Sequence, residues 1–317
     1  MWTTFVQLTP YAIIFTIPLL ITALGALFSE RSGVVNIGLE GLMIVGSFTG
    51  ALVIAQLQQF WPSHSWVLWL GLLAAMVAGV LLSLLHAFAS IHLSANQIIS
   101  GTAINMMALA ITVFLARNMT GSGNIHIKNG FIPSDIPLLS SIPLLGEVLF
   151  KHTYPTTWLI VILLIASSFL LYRTPFGLRL RACGENPHAA DAAGIHVSHI
   201  RYIGVMISGA FSGLGGAIIT VTYADGFSGS VAGLGFLALA SLIFGQWRPL
   251  GVLAATLFFG FASTIANVSQ VIPTLSEIPP VILKVFPYVI TLIALILFSK
   301  SSQAPKAVGE PFDRSKA

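Results

Sequence analysis

Apolar runs, most of them long enough to cross a bilayer as an α-helix, follow one another along almost the whole chain. Apolar residues make up 56% of its 317 residues and charged residues only 8%, against roughly 25% charged in a soluble domain. Because so little charge cannot coat a surface against water, we predict an all-α integral membrane protein. The predicted spans are 8–28, 39–59, 66–89, 96–116, 156–172, 201–222, 230–246, 250–269 and 283–299.

These spans predict a multi-span helical bundle of about eight to ten transmembrane helices. The short runs 156–172 and 230–246 either extend further or enter the membrane without crossing it. We expect one transmembrane domain over 1–300. The polar, proline-containing stretch 301–317 is predicted to be a disordered tail on the cytoplasmic side.

The basic residues orient the bundle. Residues 173–201 form an island of charge that contains Arg173, Arg179, Arg181 and Arg201. If the 173–200 loop is cytoplasmic, ten of the 14 Lys and Arg residues lie inside, as expected for a multi-pass protein of the cell membrane. This bias also explains the net charge of +4 without a nucleic acid partner. The single cysteine, Cys183, excludes an intrachain disulfide.

The charged island carries the signals of a short helix at about 186–194. Asn186 suits the N-cap, Pro187 the first helical position, and Gly194 the stop. A short capped helix between two spans indicates a docking element for a cytoplasmic partner. We predict that its contact residues are Glu185, Asn186, Ala189, Ala190, Asp191, Ala193 and Gly194, with the alanines giving a smooth face and the two acids available for basic groups.

A weak internal repeat links two distant segments. SGVVNIGLEGLMIVGSFTG at 32–50 aligns with SGSVAGLGFLALASLIFG at 228–245 with one gap. Both segments pass through closely spaced glycines and then become an apolar run. Glycine-interrupted segments at corresponding places in two halves of a chain indicate a transport pathway, although helix packing also explains any single glycine pair.

Four polar side chains lie within the apolar runs and are the candidate pathway residues. Asn36 and Glu40 share one helical face, and Gln97 and Asn105 share another. Such groups are costly in hydrocarbon unless they face a wet cavity or a partner. Hydrogen bonding between helices is an equally good explanation of the three amides. For Glu40 the alternative is an ion pair with Arg31 at the cytoplasmic edge.

Several chemistries have no support in the sequence. It has no G-x-x-x-x-G-K-[ST] phosphate loop, so ATP is not bound through a Walker motif. No zinc-protease motif, Cys/His ligand spacing or Ser-His-Asp arrangement is present. Of the eight histidines, the buried His86 is read as a hydrogen-bonded core residue. We therefore predict neither an enzyme nor a bound cofactor.

The pattern T-x-FG-x-x-LRA-x-GENP-x-AA-x-x-AGI-x-V, from Thr174 to Val197, resembles the cytoplasmic loop of permease subunits of ABC importers for branched-chain amino acids, ribose and nucleosides. The segment SGVVNIGLEGLMIVGSF is similar to the nucleoside, or purine-nucleoside, branch of that group. GFLALASLIFGQWRPLG at 235–251 also matches, so the resemblance covers about 30–300.

The resemblance implies a machine of several subunits. Two cytoplasmic ATP-binding subunits would use the ATP and receive the docking helix. A second permease subunit, often a different one, would complete the pathway, and a periplasmic or extracellular binding protein would deliver a nucleoside. The alternatives are an ABC permease for a ribose-like sugar or a branched-chain amino acid, a secondary transporter with Glu40 as a proton site, and a membrane enzyme or scaffold.

Overall fold

The computed structural model describes residues 2–137, 139–142, 146–268, 279, 281–283, 285–286, 289 and 303–313. Ten α-helices occur within these ranges: α1 (Trp2–Arg31), α2 (Leu39–Leu57), α3 (Trp66–Ala87), α4 (Gln97–Thr120), α5 (Pro155–Arg173), α6 (Pro175–Glu185), α7 (Pro187–Ala192), α8 (Val197–Thr222), α9 (Leu234–Phe244) and α10 (Pro249–Val268). A π-helical turn, Phe88–His92, extends α3. The strands β1 (Ile125–His126) and β2 (Gly226–Phe227) pair antiparallel.

Within the described ranges, seven helices are long and apolar enough to cross a membrane. They are α1, α2, α3 with its π-helical turn, α4, α5, α8 and α10. The predicted span 230–246 is wrong as a full crossing, because only the 11-residue α9 is helical there. At 1.5 Å per residue, α9 covers about half of the hydrocarbon thickness. Most of the predicted span 283–299 lies outside the described residues.

Helix α8 lies at the centre of the bundle and packs against α1, α2 and α3. Small residues allow this, because without a bulky side chain two helix backbones approach closely. A Cβ on Gly46 of α2 would collide with the backbone of Gly213 in α8, and one on Gly79 of α3 with the backbone of Gly209. Backbone-to-backbone contact at these points brings the helices close enough for dispersion forces to hold the bundle together in lipid.

The two repeat segments have the same architecture in opposite directions. We call residues 32–38 the α2 break and residues 228–233 the α9 break; each is non-helical and leads into its helix. With the single gap placed at Asn36, the first residues of the two helices, Leu39 and Leu234, align. Helix α9 ends beside the end of α1, where Arg31 bonds to Trp247 O, whereas α2 ends at Gln58 at the other end of the bundle, so α2 and α9 run in opposite directions. The repeat is therefore inverted, and the two helix N-termini meet inside the bundle.

The end of the bundle that carries α6 and α7 is called the α7 end. It also contains the end of α1, the start of α8 and the turn between α9 and α10. At the opposite end, the buried side chain of Gln58 holds the 121–154 loop: its Oε1 accepts from Lys128 N at 2.7 Å and its Nε2 donates to Asn129 O at 2.6 Å. This part of the loop thus forms an ordered cap.

Residues 303–313 correct the prediction of a disordered tail over 301–317. They lie across the α7 end, where Ala307 N donates to Gly184 O at 2.9 Å and Gly309 N to Gly33 O at 3.1 Å. Composition suggested disorder because the segment is polar and contains proline. Its order comes from backbone hydrogen bonds to distant elements, which composition does not reveal.

Candidate functional site: the helix breaks and the α7 surface

Local sequence signals alone build α7. Asn186 Oδ1 accepts from Ala189 N at 3.0 Å, Pro187 occupies the first turn, and Gly194 ends the element with φ +82°. The predicted helix at 186–194 is confirmed as Pro187–Ala192. The sequence analysis missed α6, which Thr174 caps by accepting from Gly177 N at 3.2 Å. The Thr174-Pro175 pair was the available signal.

The predicted contact residues divide between two faces of α7. Ala189, Ala193 and Gly194 are exposed together with Asn186, which fits a surface open to a partner. Ala190 is buried against Cys183 and Val197, so its assignment to the contact face is wrong. Ala190 directly follows the exposed Ala189, and the helical rotation of about 100° per residue turns its side chain inward. Asp191 is half-buried.

Glu185 has an internal partner. Its Oε1 lies 3.7 Å from Arg31 Nη1, and the Glu185 side chain remains 47% exposed. An exposed ion pair of this length contributes about 0–1 kcal/mol, so it directs Arg31 more than it stabilises the fold. The predicted use of Glu185 for a basic group on a partner therefore competes with Arg31.

The end of α1 is bonded to the turn between α9 and α10. Arg31 Nη2 and Nε donate to Trp247 O at 2.8 and 3.1 Å, and Trp247 Nε1 donates to the buried Glu30 Oε2 at 2.6 Å. Glu30 and Trp247 were not predicted. An acid at the end of an apolar span was a usable signal for Glu30, since such residues need a partner. Through Arg31, the turn after α9 is connected to Glu185, next to α7.

Glu40 caps α9. Its Oε1 accepts from Gly233 N at 2.9 Å and its Oε2 from Gly235 N at 2.7 Å, and the residue is buried. The predicted alternative, an ion pair with Arg31, is wrong, because Arg31 turns to Glu185 and Trp247. A carboxylate at a helix N-terminus neutralises the positive end of the dipole. A Cβ on Gly235 would collide with the backbone of Glu40, so the two helix starts abut at aligned positions.

The three predicted amides all serve the α2 break and the first turn of α2. Asn36 Nδ2 donates to Ser208 Oγ at 2.9 Å, and Gln97 Oε1 accepts from Val35 N at 2.7 Å. Asn105 Oδ1 accepts from Gly41 N at 2.7 Å, and its Nδ2 donates to Ile37 O at 3.0 Å. Non-helical backbone inside a membrane needs such partners. Substrate contact by these residues stays a prediction.

The buried His86 contributes to the same task. Its Nε2 lies 2.9 Å from Val35 O and its Nδ1 lies 3.0 Å from Ser100 Oγ, which confirms the hydrogen-bonded core residue. In the part of the chain that is described, no group of three or more His, Cys, Asp or Glu side chains is arranged to hold a metal ion.

The α9 break, in contrast, presents side chains on the surface of this single chain. Ser228, Ser230 and Ala232 are exposed, and the ring of Phe236 in the first turn of α9 is 50% exposed. Ala232 has φ 56°, a left-handed conformation that residues with a Cβ rarely adopt. Hydroxyls and an aromatic ring therefore lie directly beside the capped N-terminus of α9. Hydropathy did not single them out.

Comparison with known proteins shows which family and which proteins this chain is similar to. The family described as the branched-chain amino acid transport system permease component matches residues 9–295. The guanosine ABC transporter permease protein NupQ of Bacillus subtilis is 47% identical over 98% of this chain and 97% of its own length. The nucleoside ABC transporter permease protein NupC of Lactococcus lactis is 42% identical over 96% of each chain. A second Bacillus subtilis protein, the guanosine ABC transporter permease protein NupP, is 30% identical over 95% of this chain and 81% of its own length.

The family match covers most of the chain, and the first two relatives align with it along nearly their whole length. The region matched by the family, residues 9–295, includes both helix breaks and the loop with α6 and α7. The chain therefore belongs to the family of membrane permease components of branched-chain amino acid-type ABC transport systems.

Proposed function

We propose that this chain is the permease subunit of an ATP-driven importer for nucleosides. A permease component is a multi-pass transport subunit and not an enzyme; ATP is bound by a separate ATPase subunit. The substrate class rests on the two nearly full-length relatives, whose names give guanosine and nucleoside transport. The geometry of the two helix breaks supports the same class.

The observation that carries the proposal is the internal cap of α9. In inverted-repeat transporters, an open helix N-terminus inside the membrane attracts the anionic group of a substrate. Here Glu40 already occupies that N-terminus through Gly233 N and Gly235 N. A second carboxylate, such as that of an amino acid, would be repelled. An uncharged solute with hydroxyls and ring nitrogens meets no such penalty, which favours a nucleoside over a branched-chain amino acid.

The exposed side chains of the α9 break suit such a solute. The Phe236 ring offers a face on which a flat base can stack, and Ser228 and Ser230 offer hydroxyls that both donate and accept. We place the pathway along this surface, with Asn36, Glu40, Gln97 and Asn105 behind it. A second permease subunit would face the same surface from the other side.

The partners follow from the same proposal. The exposed face of α7 receives a cytoplasmic ATPase subunit, and a binding protein delivers the substrate at the opposite end. NupP and NupQ are two different guanosine permease proteins of one organism, and both resemble this chain. We therefore propose that the second permease is a different chain, so that the pathway lies in a heterodimer.

Uptake measurements test the proposal. Cells lacking this chain are given labelled nucleosides, nucleobases, pentoses and branched-chain amino acids, with and without the restored gene. Purine nucleoside uptake should depend on the chain and on ATP. If only the uptake of a pentose or of an amino acid depended on this chain, the proposed substrate class would be wrong. Uptake that survives a hydrolysis-deficient ATPase subunit but collapses with a protonophore would instead favour the secondary transporter.

A further inference from the structure

The segment 303–313, which we call the strap, joins three elements across the α7 end. Gln303 N donates to Gln246 Oε1 in the turn after α9 at 3.0 Å. Ala307 N then bonds to Gly184 O at the end of α6, and Gly309 N to Gly33 O after α1. The strap therefore runs from the turn that ends α9 to the loop that carries α7.

A buried cation lies beneath the strap. Arg201, in the first turns of α8, is 1% exposed, and its Nη1 donates to Glu310 O at 2.9 Å. Among the described residues, its Nε and Nη2 have no hydrogen-bond partner. Burying a guanidinium is costly unless it is paired or hydrogen-bonded, so its one bond to the strap backbone matters. Releasing the strap would remove that bond and let water reach the cation.

The far end of the strap covers the inner side of α7. The side chain of Phe312 packs on the buried cluster of Cys183, Ala190 and Val197. Its ring centroid lies 5.2 Å from that of His188 on α7. The contact is apolar and links the strap to α7, a six-residue helix that otherwise packs against α6 and α8.

We propose that the strap is a positioning segment that ties α7 to the turn after α9, so that movement of α7 reaches α9 and the Glu40 cap. This rests on the proposed function, in which an ATPase subunit docks on α7. Arg31 offers a second connection, through Glu185 and Trp247 O. Two such connections, at Glu185 and at Gly184 O, would make α7 and the turn move together.

The reactivity of the natural cysteine Cys183 can show whether the strap lies in place. Cys183 is the only cysteine of the chain, and it is fully buried in the cluster that Phe312 covers. Burial also raises the pKa of the Cys183 thiol to about 11, and the thiolate is the reactive form. Labelling by a water-soluble maleimide should therefore be slow with the strap in place and faster when Phe312 is lost.

The experiment uses the full transporter in proteoliposomes and compares Phe312→Ala with Phe312→Leu and Lys306→Ala. Lys306 is an exposed residue of the same strap and serves as the matched control. Phe312→Ala should raise the Cys183 labelling rate about tenfold, because the buried cluster that contains Cys183 loses the ring that packs on it. It should also lower the substrate moved per ATP hydrolysed about fivefold, while the ATPase still co-purifies. Phe312→Leu and Lys306→Ala should stay near wild type in both measurements.

Three results would overturn the inference. Unchanged labelling in Phe312→Ala would mean that the strap does not cover Cys183. Faster labelling with unchanged substrate per ATP would mean that the strap covers Cys183 in the wild type but does not couple α7 to the turn after α9. Loss of the ATPase from the complex would make the strap part of the docking surface. If the wild-type chain itself neither binds an ATPase nor transports, the proposed function is wrong, and the labelling result still decides the seating.

Discussion

The α2 break and the α9 break come from the same sequence repeat and are stabilised in opposite ways. Asn36, Gln97, Asn105 and His86 hold the α2 break and the start of α2 from several sides. The Glu40 carboxylate holds the start of α9, and Ser228, Ser230 and Ala232 of the α9 break reach the surface. The comparison teaches that related segments can divide their roles. We infer that α2 is the fixed half of the pathway and α9 the half that moves.

If α9 moves, the force for that movement should come from the ATPase subunit docked on α7. Preventing this docking should therefore have the largest effect on transport. Ala193→Arg places a long cation on the smooth face of α7 and should cost about 2–3 kcal/mol of docking free energy, which lowers transport roughly 30- to 150-fold. Co-purification of the ATPase and uptake in vesicles measure it. Ala193→Ser is the matched control and should behave like wild type. A normally coupled Ala193→Arg transporter would show that the ATPase docks elsewhere.

Glu40→Gln tests the carboxylate cap of α9. The amide offers one neutral acceptor oxygen, so one backbone N–H at Gly233 or Gly235 loses its acceptor and faces the NH₂ group instead. The cost is about 1.5 kcal/mol, and transport should fall roughly tenfold. Asn105→Asp is the comparison on the other side, because it keeps the acceptor for Gly41 N in α2 and removes the donor to Ile37 O in the α2 break. If the Asn105 variant lost more transport than Glu40→Gln at equal membrane levels, the α2 break would be the more sensitive half.

Phe236→Ala tests whether the exposed half of the pair meets the substrate. Loss of a stacking face worth about 1 kcal/mol should lower the nucleoside transport rate about fivefold, and Phe236→Tyr should retain it. Phe114→Ala removes another exposed ring, 64% exposed on α4, and should have little effect. Equal losses in the Phe236 and Phe114 variants would indicate a general requirement for surface aromatics.

Thiol accessibility sharpens the comparison by measuring which positions water reaches. In a Cys183→Ser background, a cysteine at 230 or 232 should react with small water-soluble reagents, since both positions are exposed. A cysteine at 36 or 97 should stay unreactive in this conformation, because Asn36 and Gln97 are buried, whereas one at 105 should react partly. Rapid labelling at 36 or 97 that changes with ATP would restore those residues to the pathway and contradict a fixed α2 break.

The sequence by itself determined the features that depend on interactions between residues close together in the chain. Hydropathy located the long spans, because a helix in lipid satisfies its own backbone. Asn186, Pro187 and Gly194 located α7, because caps act within one turn. The repeat at 32–50 and 228–245 identified both breaks, although it did not reveal that they face each other or that one crossing is only a short helix.

Only the tertiary structure decided the partners of the polar and charged groups. Glu40 bonds to Gly233 and Gly235, nearly 200 positions away, and not to the nearby Arg31. Arg31 reaches Trp247 O, and Arg201 reaches Glu310 O. The order of residues 303–313 likewise depends on Gly184 and Gly33. The physical reason is that a buried polar group must be paired, while the packing of distant helices determines which donor or acceptor stands within about 3 Å of it.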